Sequence, residues 1–129
     1  MNTKKQNYVK AYNNLIEAEQ YEFSNDLYID GYIKRYELCF ELAWKALKEY
    51  LIYEGYKEDS FIGPKSILNV AFESNIIDNE EIWSDMLKTR NSTTHLYSKT
   101  ISRKLCKDIQ NKYVQELRKL KEFFDNKDF

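Results

Sequence analysis

Apolar positions in this chain recur every three or four residues almost throughout, the period of an amphipathic helix and not of a strand. Tyr8, Ala11, Tyr12, Leu15, Ala18 and Glu22 predict a first helix over about residues 4 to 23, broken at Ser24-Asn25-Asp26. Ile29, Tyr32, Ile33, Tyr36, Phe40, Ala43, Trp44, Leu47 and Leu51 mark one face of a second helix, and Leu38, Leu42 and Ala46 widen it. Glu37, Glu41, Lys45 and Lys48 fall on its other side, with Glu41 and Lys45 spaced for an i,i+4 pair. Gly55 suits the left-handed residue that closes such a helix. At about 1.5 Å per residue the helix should span about 35 to 40 Å and set the length of the molecule.

A shorter third helix should begin at Gly63-Pro64, with proline at the first helical position, bury Ile67, Val70 and Ala71, and end at Asn75. Asp78 with Glu81 three residues later has the form of a capping box for a fourth helix carrying Ile82, Trp83, Met86, Leu87 and Arg90. Ser98 is placed to cap a last long helix through Ile101, Leu105, Ile109, Tyr113, Leu117, Leu120 and Phe124, with a frayed tail from Asp125. No strand pattern, repeat or internal boundary interrupts the series. The expectation is an all-α, antiparallel, up-and-down bundle of four to five helices forming a single domain over residues 1–129.

Composition narrows the function. Apolar residues are 43% and charged residues 32%, as in a folded domain. With 20 Lys+Arg against 21 Asp+Glu the chain is not a general nucleic-acid coat, so any such binding needs a local patch. No apolar run approaches the roughly 20 residues of a membrane span. The polar opening from Met1 to Gln6 predicts no leader, and Cys39 and Cys106 match no paired-cysteine spacing, so a cytoplasmic protein with two free thiols is expected. Eleven tyrosines within 16% aromatic content favour half-buried faces, and hence an oligomer.

The chemistry-bearing stretch is Arg90-Asn91-Ser92-Thr93-Thr94-His95-Leu96-Tyr97, which holds the one histidine of the chain. On one unbroken helix Arg90 and His95 would lie roughly 140° apart, and His95 and Tyr97 roughly 200° apart. Aiming all three at one point therefore needs Arg90 in the last turn of one helix and His95 and Tyr97 in a short connection, where β-branched Thr93 and Thr94 weaken the helix. From Asp85 to Lys107, Lys88, Arg90, Lys99, Arg103, Lys104 and Lys107 face one anion, Asp85, leaving a local charge of +5. A phosphate-bearing partner explains this tilt, and a solvated basic face explains it equally well. A lone histidine beside a helix end also fits a surface or capping role, and Asp85, near Arg90 in sequence, fits either a residue that orients it or a simply exposed one. Tyr36, Phe40 and Trp44 belong to the core stripe and are not a base-stacking platform, and Cys39 among them reads as an inert thiol. No phosphate-binding loop, dinucleotide fingerprint, metal-ligand set or nucleotidyltransferase carboxylate pattern occurs, so no metal or cofactor is expected and nucleotidyl transfer would belong to another chain.

The segment Arg90-Asn91-(x3)-His95-x-Tyr97 resembles the Arg-x4-6-His signature of HEPN domains. Arg35 to Lys48 and Trp83 to Leu87 resemble the helices of that superfamily's nucleotidyltransferase substrate-binding-like branch, and the resemblance runs from Tyr8 to Phe124. It implies a bundle that dimerises with two motifs facing across a two-fold cleft. It also implies a separately encoded minimal nucleotidyltransferase as partner. Members with this motif form resemble the ribonuclease toxin of a toxin–antitoxin pair, which cleaves RNA without metal and is silenced by AMP transfer to the motif tyrosine. Here Arg90, His95 and Asn91 would be catalytic and Tyr97 the modified residue. Lys88, Lys99, Arg103, Lys104 and Lys107 would take RNA phosphates. A non-catalytic substrate- or nucleotide-binding subunit, or a scaffold with a vestigial motif, are the alternatives.

Overall fold

The computed structural model describes residues 2–21, 25–92 and 98–129, and within them every regular element is helical. The second helix, α2 (Asp26–Tyr53), is the spine: 28 residues, or about 42 Å, slightly longer than the sequence suggests. Asn25 is not a breaker but its N-cap, with Oδ1 accepting from the Leu27 amide at 2.7 Å. At the far end Gly55, at φ 109°, reverses the chain, and the amides of Gly55 and Tyr56 bond the Ile52 and Leu51 carbonyls at 3.0 Å.

Helix α1 (Thr3–Ala18) lies along α2 and buries Tyr8, Ala11, Tyr12 and Leu15. It stops short of the expected residue 23. The turn after it is pinned to α2, where Tyr32 donates to the Glu19 carboxylate at 2.7 Å, and Tyr21 stacks on Tyr28 at 5.5 Å. Glu22 and Ser24 of that expectation lie outside the described residues.

A 3₁₀ turn at Glu58–Ser60 leads into α3 (Pro64–Glu73), which starts at proline as expected and ends through Asn75 at φ 62°. Helix α4 (Glu80–Ser92) begins one residue later than the spacing of Asp78 and Glu81 implies. The cap is Asn79, whose Oδ1 accepts from Ile82 at 3.2 Å and whose carbonyl accepts from Trp83 at 3.2 Å.

Ser98 caps α5 (Lys99–Asp108), accepting from Thr100 at 3.2 Å and Ile101 at 3.4 Å. A π turn (Ile109–Tyr113) joins α5 to α6 (Val114–Asp125), so the two legs form one rod, the fifth of the bundle. The sequence explains the turn. Ile101, Leu105, Ile109, Tyr113 and Leu117 step by four, and each step overshoots a helical turn by about 40°. The extra residue of a π turn takes up part of that drift and keeps Ile109, Tyr113 and Leu117 on the core. Ile101, at the start of the run, is left 49% exposed.

The buried side chains of all five rods share one apolar cluster, much of it aromatic. Tyr36 stacks on Tyr113 at 5.5 Å, Phe40 meets Trp83 at 6.2 Å, and Tyr8 meets Phe124 edge-on at 5.9 Å. The Tyr8 hydroxyl donates to the Leu117 carbonyl at 2.5 Å, the partner a buried phenol requires. The ends of the chain are tied together: the Asn2 amide bonds the Phe129 carbonyl at 3.0 Å, and buried Lys5 donates to the Lys127 carbonyl. Both cysteines are free and buried. Among the described residues no helix is long and apolar enough to cross a membrane.

Candidate functional site

Three tyrosine- and carboxylate-mediated contacts fix the last turns of α4. The Tyr36 hydroxyl, from α2, donates to the Met86 carbonyl at 3.3 Å. The Tyr113 hydroxyl, from the π turn, meets the Thr89 hydroxyl at 3.2 Å. Glu41 Oε2, from α2, accepts from Arg90 Nε at 2.8 Å. Arg90 therefore stands in the final turn, as its sequence position implies, with its guanidinium held in place. Its Nη1 donates to Asn91 Oδ1 at 3.3 Å, so the two polar residues of the motif touch. The side chains of Arg90 and Glu41 are 39% and 25% exposed, which leaves the guanidinium within reach of a ligand from solvent.

The described carboxylate at hydrogen-bond distance from Arg90 is Glu41, not Asp85. This contact joins residues 49 apart in the chain and carries no local signature. Nor is Glu41 bonded to Lys45, whose ammonium lies 5.8 Å from the Trp44 ring. His95 and Tyr97 fall outside the described residues, as do Thr93, Thr94 and Leu96.

Arg90 and Asn91 open onto grooves on two sides. One, of about 560 Å³, is walled by Lys34, Glu37, Leu38 and Glu41 of α2. The other, of about 570 Å³, is walled by residues 62–66 and Asn69, with Leu87. A smaller cleft of about 240 Å³ between α3 and α4 also reaches Asn91. Two apolar side chains stand exposed beside Arg90, Leu38 at 53% and Ile62 at 96%. Leu38 was expected on the buried face.

The cations expected around the motif divide into two groups. Lys88 is exposed on α4 and lines the small cleft. Lys99, Arg103, Lys104 and Lys107 are exposed on α5, and Lys99 pairs with Asp26 at 3.2 Å. Among the described residues, the other cations that line the grooves at Arg90 and Asn91 are Lys34 and Lys65, which the local charge count passed over. Their signal was faint: Lys34 precedes Arg35 on an otherwise mixed stretch of α2, and Lys65 follows the Gly63-Pro64 start of α3.

Buried groups near the site are structural. Burial pushes the Tyr113 phenol above its ordinary value, with the Thr89 hydrogen bond partly opposing. Burial likewise holds the Cys39 thiol well above the range in which a thiolate forms. Tyr36 and Phe40 are fully buried and Trp44 is packed on the core, so none offers a free stacking face. The described residues contain no group of three or more metal-binding side chains.

Fold and site together define a class: an all-helical bundle whose Arg90–Asn91 pair sits at a helix end beside open grooves. More specifically, the chain belongs to the family described as nucleotidyltransferase substrate binding protein like, whose model matches residues 3–126. It is similar to a protein of Thermus thermophilus known from a crystal structure, with a TM-score of 0.77 and 26% identity over 88% of this chain and 94% of that one. Comparison with curated proteins returned no match.

Proposed function

We propose that this protein is the HEPN-type partner of a separately encoded minimal nucleotidyltransferase, and acts as the metal-independent ribonuclease toxin of the pair. The observation that carries the reading is the clamped Arg90–Asn91 pair, half-buried Arg90 beside exposed Asn91 at the end of α4, a few residues ahead of His95 and Tyr97 in the chain. RNA brings its own nucleophile. Its 2′-OH attacks the neighbouring phosphorus, the P–O5′ bond breaks, and the products are a 2′,3′-cyclic phosphate and a 5′-OH. His95 takes the 2′-OH proton or supplies one to the leaving oxygen, the exchange an imidazole is chemically suited to. Arg90 is a permanent cation for the charge that builds on the phosphorane, and Asn91 hydrogen-bonds the phosphate or fixes the histidine. Lys88, Lys99, Arg103, Lys104 and Lys107 take flanking phosphates, joined by Lys34 and Lys65.

The working form is a homodimer with two motifs in one groove. Exposed Leu38 and Ile62 on either side of Arg90 support this, since apolar groups beside a charged motif gain from being covered. The nucleotidyltransferase silences the enzyme. The Tyr97 oxygen attacks the α-phosphorus of ATP, pyrophosphate leaves, and the added AMP brings negative charge and bulk beside Arg90. The site is at work in the cytoplasm, where RNA and ATP are both present.

The family's description favours a second reading, a non-catalytic subunit that holds a substrate or nucleotide for the partner enzyme. Growth arrest and RNA cleavage in EDTA separate the two, with wild type beside His95→Ala and Tyr97→Phe. The ribonuclease reading expects metal-free cleavage with cyclic phosphate ends, lost in His95→Ala and resistant to silencing in Tyr97→Phe. Absence of cleavage and toxicity in unmodified wild type leaves the binding subunit.

A further inference from the structure

The cleft of about 240 Å³ between α3 and α4 is the smallest of the three openings that meet at Asn91 and the most enclosed. Its floor is apolar: Leu68, Ile77 and Trp83 are at most 6% exposed, and half-buried Leu87 completes it. The Trp83 indole N–H has no hydrogen-bond partner, an uncommon state for a buried donor. The walls are polar and carry two cations, Lys65 from α3 and Lys88 from α4, against the one anion Glu80. Asn69 and Ser84 also face the opening, and each can both donate and accept.

An apolar floor suits the face of a planar ring. Asn69 and Ser84 suit the mixed donor and acceptor edge of such a ring. Lysines on opposite walls suit phosphates on either side of it. Asn91 belongs to this cleft and touches Arg90, so a chain seated in the cleft continues directly to the motif. A nucleotide of a single strand has all of these properties, whereas a duplex keeps its ring faces stacked.

We infer that the α3–α4 cleft is a base-binding subsite for single-stranded RNA, taking one nucleobase over Leu68, Ile77 and Leu87 and its flanking phosphates on Lys65 and Lys88. The inference rests on the ribonuclease reading, which puts an RNA phosphate at Arg90, and it adds a source of base preference at the neighbouring nucleotide.

The test measures binding, so that it does not depend on cleavage. Fluorescein-labelled 2′-O-methyl oligo(A), oligo(U) and oligo(C), which lack the attacking hydroxyl, are titrated with the full-length protein and followed by anisotropy. Wild type should favour one oligomer by about tenfold or more, the size of one well-read base. Ser84→Trp, introduced at an exposed position, should fill the cleft and bring the three oligomers to within about twofold. Asn69→Ala, also exposed, should reduce the preference without filling the space. Lys65→Gln and Lys88→Gln should weaken all three oligomers, while Lys10→Gln on α1 should change nothing. The inference is overturned if wild type binds the oligomers equally or not at all. It is also overturned if both Ser84→Trp and Asn69→Ala keep the preference, or if AMP or UMP occupies the cleft while the oligomers do not bind. Cleavage of unmodified RNA, scored alongside, separates the two ideas. Cleavage whose base preference survives Ser84→Trp keeps the ribonuclease and removes the subsite. A Ser84-dependent preference without cleavage keeps the subsite and removes the ribonuclease.

Discussion

Glu41→Gln is the substitution that bears most directly on the site. The Arg90–Glu41 contact is 2.8 Å long, between side chains 39% and 25% exposed. Two unit charges at that distance attract by about 1.5 kcal/mol in bulk water and by about 6 kcal/mol at an effective dielectric constant of about 20. Partial exposure holds the pair near the lower figure, and desolvation with side-chain ordering removes part of what is left. Exposed pairs measure about 0.2–1 kcal/mol, and a well-made charged hydrogen bond about 1.5–3 kcal/mol. A coupling of about 1 kcal/mol is therefore expected. For 129 residues the unfolding entropy is about 0.27 kcal/mol per kelvin, so a loss of that size lowers Tm by about 4 °C. The assay is a double-mutant cycle in urea with Glu41→Gln, Arg90→Gln and the double variant, run at low salt and near 1 M, where the screening length of about 3 Å should shrink the coupling. A coupling under about 0.3 kcal/mol would refute the clamp, and one above about 3 kcal/mol would refute the solvent-screened geometry. If Arg90 stabilises the phosphorane, Glu41→Gln should also slow RNA cleavage by about tenfold, because the guanidinium keeps its charge but loses its aim.

Three further outcomes follow from the packing. Gly31 lies inside α2 with open space where a Cβ would stand, so Gly31→Ala should stabilise the chain by about 0.5–1 kcal/mol in calorimetry; a lower Tm would mean that something occupies that space, such as a second copy. Tyr113→Phe removes the hydroxyl that meets Thr89 and should cost about 0.5–1.5 kcal/mol in urea unfolding, with no loss of helix content by circular dichroism. Stability should fall above about pH 9. Burial raises the thiols of Cys39 and Cys106, the latter to about 11, and the phenols of Tyr8 and Tyr36. The unfolded chain gives up these protons near 9.0 and 10.0 while the native chain retains them, so each group lowers stability by up to about 1.4 kcal/mol per pH unit in that window. Urea midpoints that hold steady from pH 9 to 11 would contradict the burial of these groups.

Local chemistry made much of the bundle legible. The stripe of α2, the proline start of α3, the Ser98 cap and the reversals at Gly55 and Asn75 each depend on a residue and its nearest few neighbours. The motif was legible in the same way, as residue types at fixed spacing, and Arg90 in the last turn of α4 followed from it. The same local logic erred where two readings were locally similar. Asn79 and Asp78 are adjacent cap formers, and α1 could have run further had its following turn not been tied to Tyr32. Ile101 and Leu38 match their stripes by period, but exposure depends on whether a neighbouring helix lies over them, and among the described residues none covers either one.

What the tertiary structure alone decided is how the helices meet. Glu41 reaches Arg90 because α2 and α4 lie side by side there, and Tyr113 reaches Thr89 because the π turn carries it to α4. Lys34 and Lys65 join the grooves at the motif from two other helices. Helical period and capping act over three or four residues and are written in the sequence, whereas an ion pair such as Arg90–Glu41, 49 residues apart, or a groove wall depends on distances between separate segments, which only the packing of the aromatic core establishes.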